Sequence, residues 1–200
     1  RLWGAEMAGR LPLSVVLPWD GQDVRALDAT LQSLAAQQGP GLEVLLAVPK
    51  PAVTEAGLLA AACPGARVLQ TQGRNPGGQF AQGLAEARGI YVVFLRPGDL
   101  LHPSALLSGC NGFDDMRPWP RGTPAAGLLG LTPAAALALA PELSARIFER
   151  DFLENLPLGF TPGARPDWAL CLAAPLLADR VAYFAWPGVR VEDAPGGARA

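Results

Sequence analysis

Two hundred residues, half of them hydrophobic, suffice for one domain with a substantial buried core. A net charge of −2, with Lys50 as the lone lysine and the arginines scattered, excludes the basic stripe that a nucleic-acid interface needs. Three widely separated cysteines, Cys63, Cys110 and Cys171, and one histidine, His102, argue against a histidine-based zinc site and a conventional Ser-His-Asp triad. The cysteines read as reduced, free thiols.

In chain order, Arg1 to Arg10 lacks a signal-peptide apolar region and an initiator methionine, and reads as part of a processed or excised segment. Leu13 to Leu17 is a buried strand. Val24, Leu27, Leu31 and Leu34 recur at helical spacing, which predicts an amphipathic helix over 23–37 with Asp23 at its positive end. Glu43 to Val48 is a second strand and Thr54 to Cys63 a second helix. Arg67 to Gln70 is a short third strand, and Gly73 to Gly78 reads as a turn-rich loop. Phe80, Leu84 and Ala87 mark a third helix, ended by Gly89, and Ile90 to Leu95 is a fourth strand. This alternation predicts a parallel sheet with ligands bound beyond the carboxyl ends of its strands.

The second half is read as follows. Cys110 to Pro124 is irregular. Pro133 to Ala140 and Glu142 to Leu153 have helical patterns. Pro166 places Asp167 at the start of an apolar helix running to about Asp179, and Val181 to Trp186 is a last strand. The apolar stretch 123–141 is interrupted by Pro124, Gly127, Gly130 and Pro133, so it predicts buried loop and helix rather than a membrane span.

Three loops should converge at one rim: Pro18-Trp19-Asp20-Gly21, Arg74-Asn75-Pro76-Gly77-Gly78 and Arg96-Pro97-Gly98-Asp99. Gly77 and Gly78 would let backbone approach a ligand at a helix N-terminus, although a set of ordinary Gly- and Pro-demanding turns accounts for the same residues. The dinucleotide fingerprint GxGxxG is absent.

Ser14-Val15-Val16-Leu17-Pro18, then Leu31-x-x-Leu34 with Gln37, then Leu42 to Leu46, Asn75-x-Gly77 and Gly83 to Leu95 run in order through residues 13–107. This series resembles the family 2 glycosyltransferases, whose usual forms are S-V-V-I-P, L-x-S-L-x-x-Q, F-E-I-I-V-V, N-x-G and G-L-x-x-A-x-G-x-Y-I-x-F-L. The resemblance implies a single α/β domain of GT-A type, a mostly parallel sheet flanked by helices. It also implies a nucleotide-sugar donor bound by residues 13–107 and an acceptor-side half over 108–193 with a helical C-terminal portion. Donor-binding positions carried over are Pro18, Trp19, Asp20, Asn75, Gly77, Arg96 and Asp99.

Two departures bear on chemistry. Where the family has D-D-G-S for the uracil, this chain has Val48-Pro49-Lys50-Pro51. Where it has D-x-D-D for a divalent metal, this chain has Arg96-Pro97-Gly98-Asp99, so Asp99 alone could hold Mn²⁺ or Mg²⁺, weakly. Arg96 offers a guanidinium that could pair phosphate oxygens in place of metal charge; the alternatives are a solvated loop arginine and, for Asp99, a helix cap. His102 reads as a surface residue of the following turn.

In the second half, Leu158-x-Phe160, Pro166-Asp167-Trp168 and Ala178 to Tyr183 resemble the acceptor side of bacterial members. On that match Asp167 is the general base, with Pro166 where Glu is usual; the alternative is a helix-start carboxylate satisfied by backbone. Asp114-Asp115 reads as a solvated turn, the alternative being recruitment to a metal, and Trp119, Trp168 and Trp186 as core or rim packing, the alternative being stacking on a sugar. The resemblance implies sugar transfer to a glycan or lipid-linked acceptor in bacterial surface-glycan synthesis, in the cytoplasm or at the inner membrane face. Two other readings stay open: a catalytically inactive domain that binds or scaffolds, and another small-nucleotide-binding α/β protein.

Overall fold

A computed structural model describes residues 13–37, 41–103, 105–106, 127–128, 143–161, 166–178, 182–183 and 189–190. Strands β1 (Leu13–Pro18), β2 (Leu42–Pro49), β3 (Ala66–Thr71), β4 (Tyr91–Phe94) and β7 (Ile147–Glu149) form one sheet in the order β3-β2-β1-β4-β7. The first four run parallel, and β7 lies antiparallel on β4. Two ribbons complete the strands. In one, β5 (Leu100–Leu101) pairs with β9 (Val189–Arg190). In the other, β6 (Gly127–Leu128) pairs with β8 (Ala182–Tyr183).

The central strands are apolar on both faces because helices cover both. Val15, Leu17, Val44, Leu46, Val93 and Leu95 face helices α1 (Val24–Ala35) and α2 (Val53–Ala60), meeting Leu27, Leu31, Leu34, Ala56 and Ala60. The alternate residues Val16, Leu45, Val92 and Phe94 face α3 (Pro76–Glu86) and the second-half helices α4 (Arg150–Asn155) and α5 (Trp168–Leu177). Phe80 of α3, Phe94 of β4 and Phe160 form a ring cluster with centroids 5.0 to 5.6 Å apart, and Phe148 of β7 meets Phe94 at 6.1 Å. The α/β class, the parallel sheet and the flanking helices are as expected from the apolar periodicity.

Two differences have local causes. Helix α3 starts at Pro76, so Gly77 and Gly78 lie in its first turn, not in a loop. Pro at the first helical position and the Asn75 cap outweigh the poor helix propensity of two glycines. The expected helix over 142–153 is instead a 3₁₀ turn (Leu143–Ala145), strand β7 and the short α4. The edge of β4 takes the backbone of 147–149, pairing Val92 with Phe148. The Arg150 amide closes the ladder on the Ile90 carbonyl at 2.8 Å. Tertiary pairing and burial of Phe148 override a local helical pattern. The strand expected over 181–186 is described at Ala182–Tyr183 as β8, and it is not the last, because β9 follows it. The expected helix 133–140, the irregular segment 110–124, Cys110, Asp114, Asp115, Trp119 and Trp186 lie outside the described residues.

Among the described residues, no helix is long and apolar enough to cross a membrane.

Candidate functional site

Because β1 through β4 are parallel, the loops that follow them open on one rim. The order reverses between β1 and β4: β2 and β3 continue to one side and β4 returns to the other. A crevice outside the carboxyl ends at such a switch point is where open α/β sheets place their ligands.

The loop after β1 is built from within. Pro18 and Trp19 are buried, and the Trp19 indole Nε1 donates to the Gln22 carbonyl, so this ring is a packing element beneath the loop. Asp20 is half-buried, and its Oδ1 accepts from the Gln22 amide at 2.9 Å, closing a turn. Gln79, a fully buried residue of α3, donates to the carbonyls of Trp19 and Ala47, each at 3.1 Å, and so staples the ends of β1 and β2 together. Sequence reading missed it; a glutamine beside Phe80 on the inward face of a helix was the available signal.

At the start of α3, Asn75 is the N-cap, its side chain accepting from the Gly77 amide at 3.0 Å. A Cβ at Gly77 would lie 2.5 Å from the Thr161 carbonyl oxygen and 3.0 Å from Pro166. The close approach Gly77 permits is therefore to Thr161 and Pro166. Nothing lies within 4 Å of the corresponding position at Gly78.

The turn after β4 is the most densely tied part of the rim. Gly98 has φ 99°, which glycine adopts without the cost a side chain incurs. Asp99 is 2% exposed; its Oδ2 accepts from the Arg96 amide at 2.7 Å and from the Ser144 hydroxyl. Helix α1 holds the same segment from the side. Thr30 Oγ1 accepts from the Gly98 amide at 2.9 Å, Ser33 Oγ from Leu101 at 3.3 Å, and Gln37 Oε1 from Leu106 at 3.3 Å. Gln37 Nε2 also donates to the carbonyl of the exposed His102 at 2.9 Å. The polar positions of the Leu31 to Gln37 motif thus position the loop after β4.

Above this turn, Arg96 Nη2 lies 2.8 Å from Asp167 Oδ1. Arg96 is about one-third exposed (34%) and Asp167 is fully buried (0%). The contact is close for the charges but out of line for a hydrogen bond, so both atoms stay buried without one. Asp167 stands at the N-cap position of α5 without capping through its side chain; its carbonyl accepts the Cys171 amide at 2.8 Å and its Oδ2 faces the Cys171 thiol at 4.0 Å. The neighbouring Trp168 is half exposed. The site thus gathers Arg96, Asp99, Ser144 and Asp167 from both halves of the chain. Ser144 was not anticipated, and no local pattern marks it.

These residues do not fit a divalent cation. Asp99 is a single carboxylate whose Oδ2 already accepts two hydrogen bonds, and the Arg96 guanidinium beside Asp167 repels positive charge. Among the described residues, no group of three or more His, Cys, Asp or Glu gathers to hold a metal.

Away from the rim, Ser14 donates to Glu43 at 2.5 Å, and Glu43 accepts the Arg88 amide at 2.6 Å, closing the amino ends of β1 and β2. A shallow depression of about 260 Å³ lined by Leu34, Gln37, Leu42 and Gly65 also lies at that end, remote from the convergent loops. Cys63 and Cys171 are buried, and desolvation raises the Cys63 thiol pKa above its usual 9.0.

No family model matches this chain, and no curated protein matches it either. Solved structures do. S. aureus TarS is similar with a TM-score of 0.72 at 18% identity, over 92% of this chain and 37% of that one. TarS 1–349 in complex with UDP-GlcNAc gives 0.69 at 18%, over 86% and 55%. The mannosyltransferase PcManGT from Pyrobaculum calidifontis, in complex with GDP-Man and Mn²⁺, gives 0.58 at 18%, over 81% and 51%. This chain therefore spans between about one-third and three-fifths of the length of the first structures it matches. At such identity the likeness establishes the fold, and the fold is that of the GT-A glycosyltransferases.

Proposed function

We propose that this chain is a family 2-like glycosyltransferase domain with degenerate uracil and metal motifs. It binds a nucleotide-sugar donor at the carboxyl ends of β1, β2 and β4, using residues 13–107, and receives an acceptor hydroxyl of a glycan or lipid-linked carrier against residues 108–193. The observation that carries this reading is the 2.8 Å approach of Arg96, on the donor side, to Asp167, on the acceptor side, at the sheet's switch point. Pro18, Trp19, Asp20, Asn75 and Gly77 shape the floor and walls of the donor site. Arg96 supplies the positive charge that the diphosphate requires, in a site without a metal cage.

In the reaction, the acceptor oxygen attacks the anomeric carbon from the face opposite the leaving group. The new C–O bond forms as the bond from that carbon to the diphosphate oxygen breaks, with inversion. Asp167 takes the hydroxyl proton, and Arg96 balances charge on the departing nucleoside diphosphate. We place this activity in bacterial surface-glycan synthesis, on the cytoplasmic side.

A second reading has its own support. Asp167 is fully buried and engaged by Arg96, as in a domain that keeps the fold and binds without catalysing. Calorimetry with UDP and GDP, with and without Mn²⁺, followed by an assay for hydrolysis or transfer from UDP-GlcNAc and GDP-mannose, separates the readings. Weak binding that Mn²⁺ tightens little, with measurable turnover, supports the transferase. Binding without turnover supports the inactive domain. Strong Mn²⁺-dependent binding lost in Asp99→Asn would overturn metal independence.

A further inference from the structure

We infer that Arg96 is a two-position residue: in one position it pairs with Asp167, as at 2.8 Å here, and a nucleoside diphosphate draws it to the other, so that donor binding is what releases the acceptor-side carboxylate. This rests on the donor-binding reading above.

Three features of the geometry lead there. First, the two ends of the contact differ in freedom. Asp167 is fully buried at the start of α5, whereas the Arg96 side chain is one-third exposed and reaches solvent at the rim. Second, the Arg96 backbone cannot follow. Its amide is held by Asp99 Oδ2 at 2.7 Å, its carbonyl accepts the Asp99 amide at 3.0 Å, and the turn is tied to Thr30 through Gly98. Any movement is therefore a rotation of the guanidinium about a fixed Cα. Third, the pair is close but poorly aligned: at 2.8 Å neither Nη2 nor Oδ1 gains a hydrogen bond. A diphosphate offers two parallel acceptors in the geometry a guanidinium prefers, so it competes for Arg96 on better terms than the present partner.

Asp167 is then an internal competitor of the anionic ligand. While Arg96 is paired, the carboxylate is screened and the phosphate position lacks its cation. Once the diphosphate takes Arg96, both the counter-charge and the carboxylate become available together. The acceptor-side group is unmasked only when a diphosphate holds Arg96, which limits idle proton transfer to Asp167.

The test is the affinity of UDP and GDP, by calorimetry without metal, for the wild-type chain, Asp167→Asn, Arg96→Gln and the double variant. If Asp167 holds Arg96 in about nine molecules of ten, the competent fraction is about one in ten, and Asp167→Asn binds the diphosphate about tenfold more tightly. Arg96→Gln loses binding, and the double variant is no tighter than Arg96→Gln alone, because the gain acts through Arg96. A wild-type chain that binds, with Asp167→Asn binding equally or more weakly, overturns the exchange while leaving the donor-site reading intact. Binding by none of the folded proteins overturns both. Should Asp167→Asn fail to fold, hydrogen exchange on the wild type decides. Amides of 168–171 exchange faster with UDP or GDP bound if the pair opens; unchanged or slower exchange there overturns the exchange.

Discussion

Asp99 and Asp167 are both buried carboxylates at the rim, yet their surroundings assign them different work. Asp99 accepts the Arg96 amide and the Ser144 hydroxyl and acts as the internal brace of the turn after β4. Asp99→Ala strands those donors, and we expect a loss of about 1–3 kcal/mol in urea unfolding. Asp167 faces a movable cation instead, and its replacement is expected to change ligand affinity as well as stability. Two glycines give a sharper residue-level test. A Cβ at Gly89 would sit 2.4 Å from the Ser14 backbone nitrogen, whereas at Gly83 it would meet Val16 Cγ1 at 2.2 Å. A side chain can shift where backbone cannot, so Gly89→Ala should destabilise more than Gly83→Ala, the latter by about 1–3 kcal/mol. Equal midpoints in denaturant for the two variants would contradict this ordering. The thiol of Cys63 adds a pH signature. Its raised folded pKa, caused by burial, contributes stability in full below 9.0 that is lost as pH rises through the higher folded value. Cys63→Ala should flatten that alkaline decline in a pH series of melting temperatures.

At the scale of elements, α1 does more than bury its apolar stripe. Thr30, Ser33 and Gln37 face the segment after β4 and accept three of its amides, so the helix sets the loop on which Arg96 and Asp99 sit. Thr30→Val keeps the shape but leaves the Gly98 amide with the Ala26 carbonyl at 3.2 Å as its acceptor in place of the hydroxyl, with an expected cost of about 0.5–1.5 kcal/mol. Gln37→Ala should speed hydrogen exchange at Leu106 while leaving the core of β1 protected. Strand β7 has a comparable role on the other side, because it completes the sheet and brings the 3₁₀ turn carrying Ser144 to Asp99. Its sequence reads as helix; the unpaired edge of β4 decides otherwise.

For the whole molecule, the described residues of the two halves share one core. Phe80 of the first half stacks on Phe160 of the second, and Phe94 meets Phe148 and Phe160 edge-on. We therefore expect a single unfolding transition seen alike by tryptophan fluorescence and circular dichroism. Residues 13–107 expressed alone should fail to fold cooperatively, and Phe94→Ala should cost about 3–5 kcal/mol. A folded 13–107 fragment with a sharp transition would show that the donor half is independent.

The sequence by itself determined the alternation of strands and helices over residues 13–95, the parallel sheet they form, and the rim to which the loops carrying Pro18, Asn75, Arg96 and Asp99 belong. Those features follow from apolar periodicity and from turn residues at strand ends, signals that act over a few neighbours and are written locally. Only the tertiary structure decided that Arg96 meets Asp167, that Ser144 braces Asp99, that Gln79 joins β1 to β2, and that Gly77 makes room for Thr161. Each of these is a contact between segments far apart in the chain. A lone arginine, serine or glutamine carries no periodic trace of its partner, because which charge or carbonyl it reaches is set by how the helices and the edge strand pack on the finished sheet.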